Sequence, residues 1–195
     1  MNLANKVTTV RILLIPLLIL FLQTYPDWLA NHISFFNHLN QWGTYYAAAL
    51  FILTAATDKL DGYIARKYNM VTNLGKLLDP LADKLLIATA LLLLVFIDKV
   101  PGWMAIIIIG REIIITALRV SASSKGIALA ADKHGKVKMV FQVAAITAVL
   151  LNNYPFAFIT NLPVDMILMI AAVFLTLYSG YNYIKINYKR LDLQI

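Results

Sequence analysis

Cysteine is absent from the 195-residue chain. Disulfide bridges, thiol catalysis and thiolate metal sites are thereby excluded. Histidine is scarce: His32, His38 and His134 are scattered, and no pair has the four-residue spacing of a helical metal site. A histidine metal centre is therefore not expected. Charge is sparse as well. Charged residues make up 14% of the chain and hydrophobic ones 61%, with a mean hydropathy of +0.73. A soluble domain of this size could not hide so much apolar side chain, so the composition points to a polytopic membrane protein. No internal repeat, low-complexity tract or break in composition divides the chain, and residues 1–195 are read as a single membrane domain. The two-residue alternation of a membrane barrel is missing, which leaves helices. After the first apolar run comes Gln23-Thr24-Tyr25-Pro26. This is no small-residue cleavage pattern, so that run is expected to stay as a first helix.

Acidic residues are few, ten against seventeen Lys and Arg, giving a net charge of +7. In a membrane protein such an excess sets orientation and attracts anionic lipid heads. The basic residues form no stripe on a soluble face, so nucleic acid is not an expected partner. Six apolar segments can be read, at about 7–22, 43–63 (reaching Tyr68), 77–97, 103–120, 137–151 (starting nearer Asp132) and 164–183. Each approaches the roughly 20 residues that cross a hydrocarbon core. The loops 23–42, 98–102 and 152–163 hold one basic residue, Lys99. The positive-inside rule puts the other basic regions in the cytoplasm. The expected fold is an all-α integral membrane protein with six transmembrane helices and both termini cytoplasmic. Tyr25, Trp28, Trp42, Tyr45, Tyr46, Trp103 and Tyr154 suit the outer interface. Tyr181, Tyr183 and Tyr188 suit the inner one.

Four of the ten acids fall in one stretch, DKLDGYIARKYNMVTNLGKLLDPLAD, as Asp58, Asp61, Asp79 and Asp83. Carboxylates at membrane depth are costly and usually functional. Asp58 and Asp61 are three apart, and Gly75, Asp79 and Asp83 are four and four apart, so each set shares a helix face. A short connector makes the two segments antiparallel neighbours. Four converging carboxylates would repel one another or take up protons. Divalent cations relieve this, and oxygen-only ligation suits Mg²⁺, Mn²⁺ or Ca²⁺. Four carboxylates suffice to bridge two ions, and paired ions commonly hold a pyrophosphate for in-line displacement. Gly62, Ala65 and Gly75 would let a ligand approach the backbone. Arg66 could hold a phosphate with its planar fork. Pro80 admits two readings: a segment starting there with Asp79 as cap, or an earlier start with a kink.

The spacing Asp58-x2-Asp61-Gly62-x2-Ala65-Arg66-x8-Gly75-x3-Asp79-x3-Asp83 resembles the signature of the CDP-alcohol phosphatidyltransferases at all eight of its positions. Asn2 to Arg11 is similar to the start of one branch of that family, although Ala4 stands where proline is common. Gly110-Arg111-Glu112 with Thr116 and Arg119, and Lys133 to Lys138 followed by Gln142, are similar to the same branch. The resemblance implies displacement of CMP from a CDP-linked lipid by an alcohol. It implies metal binding by Asp58, Asp61, Asp79 and Asp83, with Mg²⁺ or Mn²⁺ as the two ions. It gives Asp83 the further role of general base, and Gly62, Ala65, Arg66 and Gly75 contact with the CDP group. A homodimer in the cell membrane of a bacterium, with the site facing the cytoplasm, is implied as well.

A second basic set surrounds the fourth and fifth segments. Arg111 and Arg119 are eight apart, about 12 Å along one helix face. Lys133, Lys136 and Lys138 open the next segment. Beside the metals these would form a cationic pocket for a phosphorylated acceptor. Arg119, Lys133, Lys136 and, if it is not simply paired with Glu112, Arg111 are the candidate phosphate ligands. CDP-diacylglycerol and glycerol 3-phosphate are thus the expected substrates, with membrane lipids as surroundings. Phosphatidylglycerol, inositol or serine are alternative acceptors. An ion or metal transporter is the rival from another class, but it would place acids near the midplane on broken helices.

Overall fold

In a long apolar run there are few side chains to satisfy backbone N–H and C=O groups. A helix satisfies them within the segment. A computed structural model describes residues 3–67, 73–127, 129 and 134–188, and for 3–8, 58–67, 73–80 and 134 it describes the backbone alone. Among the described residues the chain is helical and contains no strand. The elements are α1 (Leu3–Leu22), α2 (Asp27–His32), α3 (Ser34–Lys67), α4 (Asn73–Phe96), α5 (Gly102–Ser124), α6 (His134–Leu150), a 3₁₀ turn (Phe156–Phe158) and α7 (Val164–Asn187).

The six expected segments are the six long helices, and three details differ. Helix α2 is additional. Helix α3 begins at Ser34 rather than near Gly43, because its first turns are polar and hydropathy does not mark them. They are tied to the preceding loop: Asn40 accepts from the Tyr25 amide and donates to the Tyr25 carbonyl, each at 2.9 Å. Helix α4 begins at Asn73 and continues past Pro80, which excludes the reading with Asp79 as cap.

Helix α1 lies against α3 and α4, α7 against α5 and α6, and α6 also against α3. The main core draws on one end of every long helix. It takes the C-terminal halves of α1, α4 and α6 and the N-terminal halves of α5 and α7, with Ala47, Ala48 and Phe51 of α3. Successive long helices therefore alternate in direction. Ala47, Ala48, Ala90, Ala145 and Ala172 are fully buried there. Small residues let helix backbones approach where the surroundings are as apolar as the core. Among the described residues the buried polar side chains Arg11, Thr54, Lys138, Gln142, Thr176, Ser179 and Asn187 lie beyond this core, toward the other end of the bundle. The packed end is closed by loop contacts. Lys99 reaches Asn152 across two connections, and its burial pushes the ammonium pKa down while Asp165 opposes that shift.

The outer surface is apolar. Leu13, Leu53, Ile106, Ile113, Phe174 and Leu177 are all at least half exposed. Among the described residues α7 is long and apolar enough to cross a membrane, and only 33% of its apolar window is buried, unlike a soluble core helix. Trp28, Trp103 and Tyr154 are exposed at or just beyond helix ends, and Trp42 is exposed in the third turn of α3. Tyr183 differs from expectation. Gly180, Tyr183 and Asn187 form the inward stripe of α7, so Tyr183 is buried while Tyr181 is exposed.

Gly43 sets the distance between α1 and α3. A Cβ added there would stand 2.1 Å from the Phe21 carbonyl oxygen, whereas one added at Gly110 meets nothing within 4 Å. Gly43→Ala is expected to destabilise by about 1–3 kcal/mol through overpacking against backbone. Gly110→Ala should be neutral or stabilise by up to about 1 kcal/mol. Thermal unfolding of the two variants in detergent checks the contrast.

Candidate functional site

The last turns of α3 carry Asp58, Asp61, Gly62, Ala65 and Arg66, and the first turns of α4 carry Gly75 and Asp79. Both stretches are continuous helix, so the expected three- and four-residue spacings hold along each backbone. Of these seven residues the backbone alone is described, and the connector 68–72 and Lys133 lie outside the described residues. Among the described residues no three metal-ligating side chains come together. The remaining signature residue, Asp83, is described. It is half-buried, and Arg11 of α1 donates from Nη1 to its Oδ1 at 3.0 Å.

Asp83 stands at the edge of a cavity of about 840 Å³ bounded by α4, α5, α6 and Tyr183 of α7. Five cationic side chains line it, Lys84, Arg111, Arg119, Lys136 and Lys138, against two carboxylates, Asp83 and Glu112. That excess gives the cavity a positive potential, which favours anions. Leu81, Leu85, Ile109, Ile113 and Met139 supply much of the remaining wall, where low polarity strengthens each charge interaction.

The charges are ordered by a network centred on Glu112. Its Oε1 accepts from Arg111 Nη1 at 3.1 Å and from Lys138 Nζ. Arg111 also donates from Nη2 to Ser179 Oγ at 2.9 Å. To reach it, the arginine crosses α7 over Gly180, where an added Cβ would lie 3.2 Å from Arg111 Cγ. Thr116 donates to the Glu112 carbonyl at 2.6 Å and accepts from Lys84 Nζ. Gln142 donates to Thr176 at 3.0 Å, bracing α6 on α7. The Arg119 guanidinium sits 5.6 Å from the centre of the Tyr183 ring, a cation–π contact. Among the described residues no carboxylate pairs with Arg119 or Lys136, and both line the cavity.

The structure thus brings three of the four candidate acceptor ligands, Arg111, Arg119 and Lys136, to one cavity with Asp83 at its edge. Arg111 lines the site and pairs with Glu112 at once, so the two readings of this residue are not exclusive. Lys138 is buried on Glu112 rather than reaching toward lipid heads. Lys125 is exposed, as a surface charge should be. Lys84 and Tyr183 line the cavity as well and were not among the candidates. Lys84 follows the last signature aspartate directly, and its position inside an apolar run is the signal that marks it. Tyr183 carries no local signal, because its inward direction depends on how α7 packs.

Glu112 is the counter-charge for two buried cations. Removing it leaves both without this partner, which typically costs about 3–5 kcal/mol. Glu112→Gln should therefore lower the unfolding temperature strongly. Adding Lys138→Met should recover part of the loss, and thermal melts of the two single variants and the double variant measure that coupling.

Comparison with known proteins adds to this geometry. The family model for CDP-alcohol phosphatidyltransferase matches residues 1–178. A CDP-diacylglycerol–glycerol-3-phosphate 3-phosphatidyltransferase of Bacillus subtilis is 42% identical over 190 residues, covering 97% of each chain. The protein of that name from Rickettsia felis is 35% identical over 184 residues, 94% of each chain. A probable phosphatidylglycerophosphate synthase of Mycobacterium tuberculosis is 32% identical over 183 residues, 94% of this chain and 80% of the relative. With the signature complete in sequence and the match spanning most of its length, the chain belongs to the CDP-alcohol phosphatidyltransferase family.

Proposed function

We propose that the chain is a multi-pass membrane enzyme that transfers the phosphatidyl group of CDP-diacylglycerol to glycerol 3-phosphate and releases CMP. The observation that carries this reading is the cavity with five cationic side chains and Asp83 at its edge. Neutral acceptors such as inositol or serine need far less positive charge. The names of the relatives point to the same pair of substrates. Six helices, α1 and α3 to α7, span the bilayer, with the cavity end and both termini on the cytoplasmic side. Helix α3, with 34 residues, is about 50 Å long at 1.5 Å per residue. It exceeds a hydrocarbon core of about 30 Å, so its polar ends emerge from the apolar layer.

In this reading Asp58, Asp61, Asp79 and Asp83 hold two divalent ions. Their all-oxygen donor set fits Mg²⁺ or Mn²⁺. When bound, such ions neutralise pyrophosphate charge and favour departure of CMP. Gly62, Ala65, Arg66 and Gly75 line the CDP group. Arg119 and Lys136, with Arg111 beside them, clamp the acceptor phosphate, and Lys133 joins them from the start of α6. Asp83 takes the proton from the attacking hydroxyl. That oxygen bonds to the lipid-side phosphorus as the bond from this phosphorus to the CMP oxygen breaks. Two copies of the chain form a homodimer in the membrane.

Purified protein in detergent, given CDP-diacylglycerol and Mn²⁺, should release CMP with glycerol 3-phosphate but not with inositol or serine. Release with inositol alone would exclude the acceptor assigned here, and no release with any acceptor would exclude the enzyme. Arg119→Gln removes a charged hydrogen bond worth about 1.5–3 kcal/mol, so the KM for glycerol 3-phosphate should rise roughly 10- to 100-fold. Asp83→Asn should lose roughly 100-fold or more in kcat.

A further inference from the structure

Arg11 is buried within α1, a helix whose Val10 and Leu13 face outward. A guanidinium at such a place is costly and marks a function or a specific partner. Its partner here is the carboxylate at the edge of the cavity. Arg11 Nη1 meets Asp83 Oδ1 at 3.0 Å, from a helix that does not itself line the cavity. An aspartate carboxylate turns easily about its last torsion, which has no sharp minima. A group that must accept a proton along one direction needs that torsion fixed, since misplacement by about 1 Å can cost on the order of 100-fold in rate. A planar guanidinium fixes it better than a point charge does.

We infer that Arg11 is a positioning residue for the reaction, setting the rotation of the Asp83 carboxylate toward the acceptor hydroxyl. This rests on the general-base role given to Asp83 above. Arg11 touches neither substrate in this scheme. It acts through Asp83, and α1 thereby belongs to the active site.

The test uses the full chain in detergent with Arg11→Lys, Arg11→Gln, Asp83→Asn and the double variant Arg11→Gln/Asp83→Asn. Arg11→Lys should unfold within a few degrees of the unchanged protein, because the charge pair survives. Its kcat should nevertheless fall roughly 10-fold or more, because a point charge does not fix the carboxylate plane. The KM for glycerol 3-phosphate should stay within about threefold, the effect residing in kcat, and so should the Mn²⁺ affinity, read from the electron paramagnetic resonance of free Mn²⁺, because Asp58, Asp61 and Asp79 still hold the ions in this scheme. The double variant should lose no more kcat than Asp83→Asn alone, as residues acting through one group do. Full kcat in Arg11→Lys would overturn positioning in favour of charge alone. Loss of Mn²⁺ binding would reassign Arg11 to assembly of the metal site. Additive losses in the double variant would show action by another route. If Asp83→Asn keeps full turnover, the base assignment itself fails. If Asp83→Asn is inactive and the Arg11 variants are not impaired, only the present inference fails.

Discussion

A cation inside an apolar bundle stays charged only if the surrounding chain supplies opposite charge or hydrogen-bond acceptors, and one glutamate meets most of that need here. Glu112 is the single glutamate of the sequence. It joins Arg111 and Lys138, and through its carbonyl and Thr116 it reaches Lys84. Three helices, α4, α5 and α6, are thereby linked at their polar ends. Ser179 adds α7 through Arg111. The arrangement neutralises part of the positive charge and leaves the remainder, on Arg119 and Lys136, facing the cavity. Without Glu112 the cavity would hold more charge than its walls could keep in place.

The two ends of the bundle follow different rules as a result. At one end alanines are buried between backbones, and dispersion contacts hold the helices. At the other end long charged side chains line a cavity between the helices. Glycine serves both ends in distinct ways. Gly43 admits the backbone of α1, and Gly180 admits the aliphatic stem of Arg111. The site is thus built by withholding packing where ligands are to go and supplying charge in its place.

Much of this was legible from spacing and hydropathy. The apolar runs located six helices. Arg111 and Arg119, eight apart, could be assigned to one face, and Lys136 could be placed at the start of the following helix. What escaped had a physical reason in each case. The first turns of α3 are polar, and α2 is too short and too polar to stand out. Tyr183 looks like an interfacial aromatic until the packing of α7 turns it inward under Arg119. The pair Arg11–Asp83 joins residues 72 positions apart, and no local pattern announces such a contact. The signature aspartates were the plainest feature of the sequence. Three of them lie where the structure describes the backbone alone, on the last turns of α3 and the first turns of α4.

The long separation of that pair has a consequence in time. Helix α1 is synthesised before α4, and its arginine precedes Asp83 by 72 residues. At about 5–20 residues per second, roughly 4–14 s pass before the partner exists. During that interval the nascent α1 carries a cation near its polar end that must borrow water or lipid phosphate. Its exchange of that temporary company for Asp83 marks the moment when the first helix is captured by the fourth.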